Sequence, residues 1–170
     1  YLASMTFAHL HSLRDTYTQK RHNVIESYRR HLRPEALLTA LRRVTDQTLR
    51  EILKTAPLPQ DAALAAVGGY GRGELYPYSD IDVLILLAQE PDSEDQIRLE
   101  KLVAALWDLG FEVGHSVRPI EDCRREASND ITVETALMEC RWLAGSKVLL
   151  AQLADTMASQ RDPRAFFQAK

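Results

Sequence analysis

Two aspartates separated by one residue, Asp80 and Asp82, form the most chemically suggestive pair in this 170-residue chain. They stand at the head of an apolar run, residues 81–87, that is typical of a buried parallel or mixed strand. Because side chains alternate along a strand, both carboxylates would lie on the same face. A carboxylate at a strand entrance can simply serve a turn, but two of them are costly unless a cation or another partner compensates them. The pair therefore predicts a divalent-metal site.

A glycine-rich segment, Gly68-Gly69-Tyr70-Gly71-Arg72-Gly73, lies shortly before this pair. Glycines let backbone N–H groups approach phosphate oxygens, because no side chain blocks the approach. The dinucleotide fingerprint would need glycine where Glu74 stands, and a P-loop would end in Gly-Lys-Ser/Thr, which is absent. Glycine turn and aspartates together indicate a site for a triphosphate and divalent ions. That combination predicts an enzyme of nucleotidyl transfer.

Individual roles follow from the residue types. Gly68 and Gly69 are expected to bring backbone N–H groups to the triphosphate, with the hydroxyl of Ser79 as a further donor. Arg72 is a candidate for neutralising the terminal phosphates through paired donors. The alternatives are that Arg72 is an ordinary surface arginine, or that Glu74 anchors the turn by pairing with it.

A strand predicted over residues 111–118 supplies the candidate for a third metal-binding carboxylate. Glu112 is the candidate with the right strand context, and the alternative is an ion pair of Glu112 with Arg118 or a helix lysine. The face of Glu112 also carries Gly114, a hydroxyl and Arg118, a polar set that suits the lining of a site. His115 lies on the opposite, apolar face, and we expect it to pack rather than act as a base.

The remaining pattern predicts a small mixed sheet backed by helices. Pro34 is expected in the first turn of a helix, and Gly110 is expected to end another. From residue 120 onward the pattern is helical, with breaks near 128–130 and Gly145. The expected elements before residue 120 are helices over 3–31, from 34 to the mid-fifties and over 93–109, and strands over 62–67, 81–88 and 111–118. We divide the chain into an N-terminal helical segment (1–58), a core (59–125) and C-terminal helices (126–170).

Composition narrows the function classes. A net charge of −3 with 26% charged residues gives no basic surface for bulk nucleic-acid binding. Cys123 and Cys140 lack CxxC spacing, so a disulfide framework or a zinc site is not expected. No apolar stretch approaches the roughly 20 residues that span a membrane. We therefore expect a cytoplasmic protein with no membrane partner, and a piece of a longer chain.

Three segments resemble the nucleotidyltransferase domain of the bacterial PII uridylyltransferase/uridylyl-removing enzymes. The first comprises residues 67–75, Pro77 and the Ser-Asp-Ile-Asp of 79–82. The second is residues 106–118, which contain Glu-Val-Gly-His-Ser-Val-Arg, and the third is residues 164–170. Glutamine synthetase adenylyltransferases share the glycine turn and Ser-Asp-Ile-Asp. However, the residues Gly-Tyr-Gly-Arg-Gly-Glu-Leu and Glu-Val-Gly-His-Ser-Val-Arg in the first two segments favour the uridylyltransferases.

The resemblance implies an α/β fold of the polymerase-beta-like nucleotidyltransferase type. It implies transfer of UMP from UTP to a tyrosine of the PII nitrogen signal protein, with Mg²⁺ held by Asp80, Asp82 and a third carboxylate, for which we take Glu112. The uridylyl-removing and glutamine-sensing activities belong to further domains and are not expected in this sequence. The alternatives are a protein adenylyltransferase using ATP, a non-catalytic nucleotide-binding regulatory domain, and a correctly built domain that is silent in isolation. Tyr70 and two later tyrosines, Tyr76 and Tyr78, are expected to pack the loop or contact the base.

Overall fold

The computed structural model describes residues 2–110 and 113–160. Seven helices and four strands occur in these ranges. In chain order they are α1 (Leu2–His31), α2 (Pro34–Thr55), β1 (Ala63–Ala66), α3 (Gly68–Gly71), β2 (Ile81–Leu87), α4 (Ser93–Asp108), β3 (Val113–Pro119), α5 (Ile120–Asn129), α6 (Ile131–Met138), β4 (Arg141–Gly145) and α7 (Lys147–Ser159).

The four strands form one mixed sheet in the order β3-β2-β1-β4. β1 runs antiparallel to both β2 and β4, whereas β2 and β3 are parallel. β2 is thus an inner strand, and every residue in it after Asp82 is buried. The predicted α/β class with a small mixed sheet flanked by helices is confirmed.

Helices cover both faces of the sheet, so β2 contributes side chains to two hydrophobic clusters. Val83, Ile85 and Leu87 pack with α1, α2 and α4. Leu84 and Leu86 pack on the other face with α5, α6 and α7. Because side chains alternate, Asp82 shares the face of Leu84 and Leu86 and lies where that apolar face ends. The sheet therefore presents this carboxylate at the start of a buried strand, as the sequence pattern predicts.

Helix boundaries are set largely by local chemistry. Pro34 is the first residue of α2, as predicted, and the side chain of Asp92 caps α4 by accepting from the backbone N–H of Asp95. Gly110 follows α4 with a φ of +70°, a conformation that favours glycine. None of the described helices is both long and apolar enough to cross a membrane.

The prediction that residues from 120 onward are helical, with breaks near 128–130 and Gly145, is wrong at β4. Residues Arg141–Gly145 pair with β1, with a register irregularity between Leu64 and Ala65. Only Leu143 of this strand is buried, so the segment has no clear alternation of apolar and polar residues. This segment forms a strand because it pairs with β1, and the local sequence pattern does not indicate that pairing. Residues 161–170 lie outside the described part of the chain.

A half-buried ionic group ties three of these elements together. Asp46 of α2 accepts a hydrogen bond from the Tyr70 hydroxyl (2.6 Å) and two from the Arg141 guanidinium (2.7 and 3.0 Å). Arg141 also donates to the Tyr70 carbonyl oxygen (3.3 Å), and its guanidinium lies 5.1 Å from the centre of the Tyr70 ring. The group joins α2, the glycine turn and β4, although the sequence does not single out Asp46.

We predict unequal losses of stability when this group is dismantled. Asp46→Ala leaves Arg141 without its carboxylate and should lower the free energy of unfolding by about 3 kcal/mol. Tyr70→Phe removes one hydrogen bond to a charged acceptor and should cost about 1.5 kcal/mol. Urea denaturation measures both. Tyr78→Phe, which removes a fully exposed hydroxyl, is the control and should change little; equal losses in all three variants would contradict the assignment.

Candidate active site

The glycine turn begins where β1 ends and lies directly beside the start of β2. The backbone N–H of Val67 donates to the Asp82 carbonyl oxygen (3.0 Å), which fixes the turn to β2. Gly68 has a φ of +58°, and a Cβ at this position would lie 4.0 Å from Oδ2 of Asp82. The following residues, Gly68–Gly71, form the short helix α3. Turn and carboxylate therefore face one another, as a shared site for phosphate and metal requires.

Asp82 faces a neighbour that has no side chain. Gly114 is its register partner on β3, and a Cβ at Gly114 would overlap Oδ1 of Asp82. Burial raises the pKa of the Asp82 carboxyl, and the negative charge of Asp80 raises it further. Its ionised form is therefore undercompensated. A cation placed between the two aspartates would remove that cost.

Ser79 precedes the pair and is engaged within its own loop. Its hydroxyl oxygen accepts from the Tyr76 backbone N–H, and its own N–H donates to the Tyr76 carbonyl oxygen (both 3.1 Å). A hydroxyl that accepts one hydrogen bond keeps its proton for another acceptor. The predicted role of Ser79 as a donor to phosphate stays a prediction that this geometry permits.

Arg72 is held by two carboxylates on the surface. Its Nε lies 3.1 Å from Glu74 and its Nη1 lies 2.6 Å from Glu139, the residue after α6. Hydrogen bonds to these two carboxylates raise the pKa of Arg72. The sequence already offers the pairing of Arg72 with Glu74 as an alternative. Glu139 lies 67 residues from Arg72, so no local sequence pattern indicates that contact. A role of Arg72 at the phosphates stays a prediction.

The third carboxylate, Glu112, lies outside the described residues, so its role as a metal ligand stays a prediction. Among residues 2–110 and 113–160, no group of three or more His, Cys, Asp or Glu side chains is arranged to hold a metal ion. Asp80 and Asp82 therefore stand as a pair in that part of the chain.

Other predicted residues divide between packing and exposure. His115 contacts the Trp107 ring edge-on, with centroids 6.2 Å apart, in keeping with a packing role. Arg118 lies 3.9 Å from Glu126 of α5. Tyr70 is buried, whereas Tyr76 is 55% and Tyr78 98% exposed. The three tyrosines, grouped together in the sequence, thus separate into one that packs the loop and two that face solvent.

We predict that neutralising Asp82 stabilises the metal-free protein. The pKa of this carboxyl is higher in the folded state, so stability is lost as pH rises from the unfolded value of about 3.9 through the folded value. Asp82→Asn should therefore melt at a higher temperature than wild type at pH 7, and the difference should shrink to nothing near pH 3. Thermal denaturation against pH measures this. Asp155→Asn, at an exposed position of α7, should shift the melting temperature little at either pH.

The glycines of the turn provide a second, matched prediction. A Cβ at Gly71 would overlap the Glu139 carbonyl oxygen and lie 2.9 Å from that of Ala66, so Gly71→Ala should cost about 3 kcal/mol of stability. A Cβ at Gly69 would meet its nearest atoms at 3.6 and 3.8 Å, so Gly69→Ala should change stability by less than about 0.5 kcal/mol. Equal denaturation midpoints for the two variants would contradict the packing described for α3.

Comparison with known proteins identifies the family. Residues 47–142 match the family model described as nucleotidyltransferase domain, which is more than half of the chain. Curated relatives named "Bifunctional uridylyltransferase/uridylyl-removing enzyme" are 57% identical in Bordetella avium (strain 197N), over 95% of this chain, and 41% identical in Chromobacterium violaceum, over 98%. These alignments cover 19% and 20% of the relatives, so the chain spans about a fifth of their length.

A solved structure described as "Crystal structure of the toxin-antitoxin with AMP-PNP" is 20% identical, with a TM-score of 0.42 over 73% of this chain and 90% of that one. That likeness is too low to add to the assignment. The sequence relatives and the family model are sufficient: the chain belongs to the nucleotidyltransferase domain family, in the branch of the bifunctional uridylyltransferase/uridylyl-removing enzymes.

Proposed function

We propose that this domain transfers UMP from UTP to a tyrosine of the PII nitrogen signal protein, with Mg²⁺ as cofactor and pyrophosphate as product. The observation that carries the proposal is the undercompensated carboxylate of Asp82, which lies beside Asp80 and faces the glycine turn. Relatives named as uridylyltransferases support UMP as the group transferred.

The donor set fits Mg²⁺. This ion prefers hard carboxylate oxygens and keeps waters and substrate phosphates as its other ligands, so two aspartates with a contribution from Glu112 would suffice. The pKa of Asp82 is raised by burial and by another carboxylate, so the site favours the arrival of positive charge. When bound, the ion would stabilise the charge that develops on the attacking and leaving oxygens.

The chain's own residues bind and orient the reactants. Gly68 and Gly69 offer N–H groups to the triphosphate without a side chain in the way, and Gly114 keeps the space beside Asp82 open. The acceptor tyrosine oxygen attacks the α-phosphorus, a new P–O bond forms, and the bond to the β-phosphate oxygen breaks to release pyrophosphate. A carboxylate takes the tyrosine proton, and Glu112 is the proposed group.

Calorimetric titration of UTP, ATP, CTP and GTP with and without Mg²⁺ tests this function. We expect Mg²⁺-dependent binding that favours UTP and is lost in the Asp80→Ala/Asp82→Ala double variant, because the metal then lacks its protein ligands. Asp155→Ala should bind like wild type. A preference for ATP would move the assignment to protein adenylyl transfer, and binding indifferent to Mg²⁺ and to both substitutions would contradict catalysis and favour a regulatory nucleotide-binding domain.

Gly69→Ala tests the turn separately from the metal ligands. The variant should fold like wild type, because the added methyl group meets its nearest atoms at ordinary contact distance. It should still weaken binding of Mg²⁺-UTP, because a side chain hinders the close approach of phosphate to the backbone that glycine permits. Unchanged affinity would remove this turn from the triphosphate site while leaving the role of the aspartates intact.

A further inference from the structure

A cavity of about 220 Å³ opens beside Asp80, between the N-terminal helices and the loop that follows the glycine turn. α1 contributes Tyr17 and Arg21, α2 contributes Leu41, and the loop of residues 75–81 forms the remaining wall. The cavity is therefore bordered by Asp80, one of the two predicted metal ligands, and by the loop that follows the glycine turn.

The size of the cavity limits what it can hold. Pockets that enclose a drug-sized ligand measure roughly 300–1,000 Å³. A space of about 220 Å³ is too small for a whole nucleotide and suits a single ring system with the rest of the ligand outside. A nucleotide whose phosphates lie at the carboxylates could place its base there.

The arginine of the cavity favours a base that carries carbonyl oxygens. Arginine offers hydrogen-bond donors and no acceptor. Uracil presents two carbonyl oxygens that can accept from Arg21, cytosine presents one, and adenine presents none. Tyr17 lies about one helical turn before Arg21 on α1, and both residues line the cavity, so they share one wall of it.

The helix that carries these groups lies outside the part of the chain that matches the general family. That match begins at residue 47, whereas Tyr17 and Arg21 belong to α1. α1 is held in place through the Tyr17 hydroxyl, which shares a hydrogen bond of 3.2 Å with Thr45 of α2. An element added to the common core is a suitable place for a contact that separates one nucleotide from another.

We propose that the cavity between α1 and residues 75–81 binds the uracil base of the donor nucleotide, with Arg21 donating to a uracil carbonyl. The inference rests on the proposed function, since it concerns the donor of the same reaction. A phenol ring of the acceptor tyrosine is the competing occupant. It fits the space, but its one polar atom must reach the α-phosphorus, which would leave Arg21 facing the ring without an acceptor.

The test compares binding of UTP, ATP and tripolyphosphate, each with Mg²⁺, to wild type and to Arg21→Gln. Tripolyphosphate reports the metal and phosphate site without a base. We expect Arg21→Gln to lower UTP affinity about tenfold, as loss of a charged hydrogen bond would, and to leave ATP and tripolyphosphate affinities unchanged. Arg30→Gln, at an exposed arginine about two and a half turns further along α1, is the matched control.

Every other outcome of this experiment contradicts the proposed uracil site, and each does so differently. Unchanged UTP affinity removes Arg21 from base recognition, and an equal fall for all three ligands makes Arg21 a phosphate contact. Unchanged nucleotide affinities with slower transfer to a tyrosine peptide assign the cavity to the acceptor. If wild type binds neither UTP nor tripolyphosphate in a Mg²⁺-dependent way, the proposed function itself fails. Retained tripolyphosphate binding by Arg21→Gln shows that the variant is folded.

Discussion

The carboxylate of Asp46 is the interaction on which the arrangement of the site depends. It accepts hydrogen bonds from Tyr70 in the glycine turn and from Arg141 at the start of β4, and so joins three segments that are distant in sequence. Charged hydrogen bonds are stronger at a half-buried position than in water, because the surrounding dielectric is lower. Since Tyr70 lies inside α3, this pairing fixes the turn whose first residues face Asp82.

Two kinds of acidic group therefore lie close to one turn. Asp46 is compensated by Arg141, and the exposed Glu74 and the half-buried Glu139 are compensated by Arg72. Asp82 differs, because the charge that raises its pKa beyond the effect of burial is that of another carboxylate. Arg141 and Arg72 are thus engaged in holding the shape of the turn, and the aspartate pair is left for a cation from outside the chain. This contrast distinguishes structural carboxylates from reactive ones.

The features that could be predicted from the sequence are those that depend on residues close together in the chain. The apolar run of β2, the glycine turn and the Gly110 stop of α4 each depend on neighbouring residues, and the structure reproduces them. The partners of the turn could not be predicted, since Asp46 lies 24 residues from Tyr70 and 95 from Arg141. β4 was missed for a related reason: its five residues bury one side chain, and hydrogen bonds to β1 establish the strand. Which strand β4 pairs with depends on the whole fold and not on the residues of β4 itself.

The position of the acidic pair within β2 explains how the fold tolerates it. Asp82 is exposed, whereas the next five residues of the strand are buried. A shift of the pair by one residue would turn both carboxylates toward the α1, α2 and α4 cluster, because side chains alternate along the strand. A shift of two residues toward the C-terminus would place a carboxylate among Leu84 and its neighbours, where an unpaired charge is far more costly. The strand start therefore combines enough burial to make a cation favourable with enough exposure to admit one.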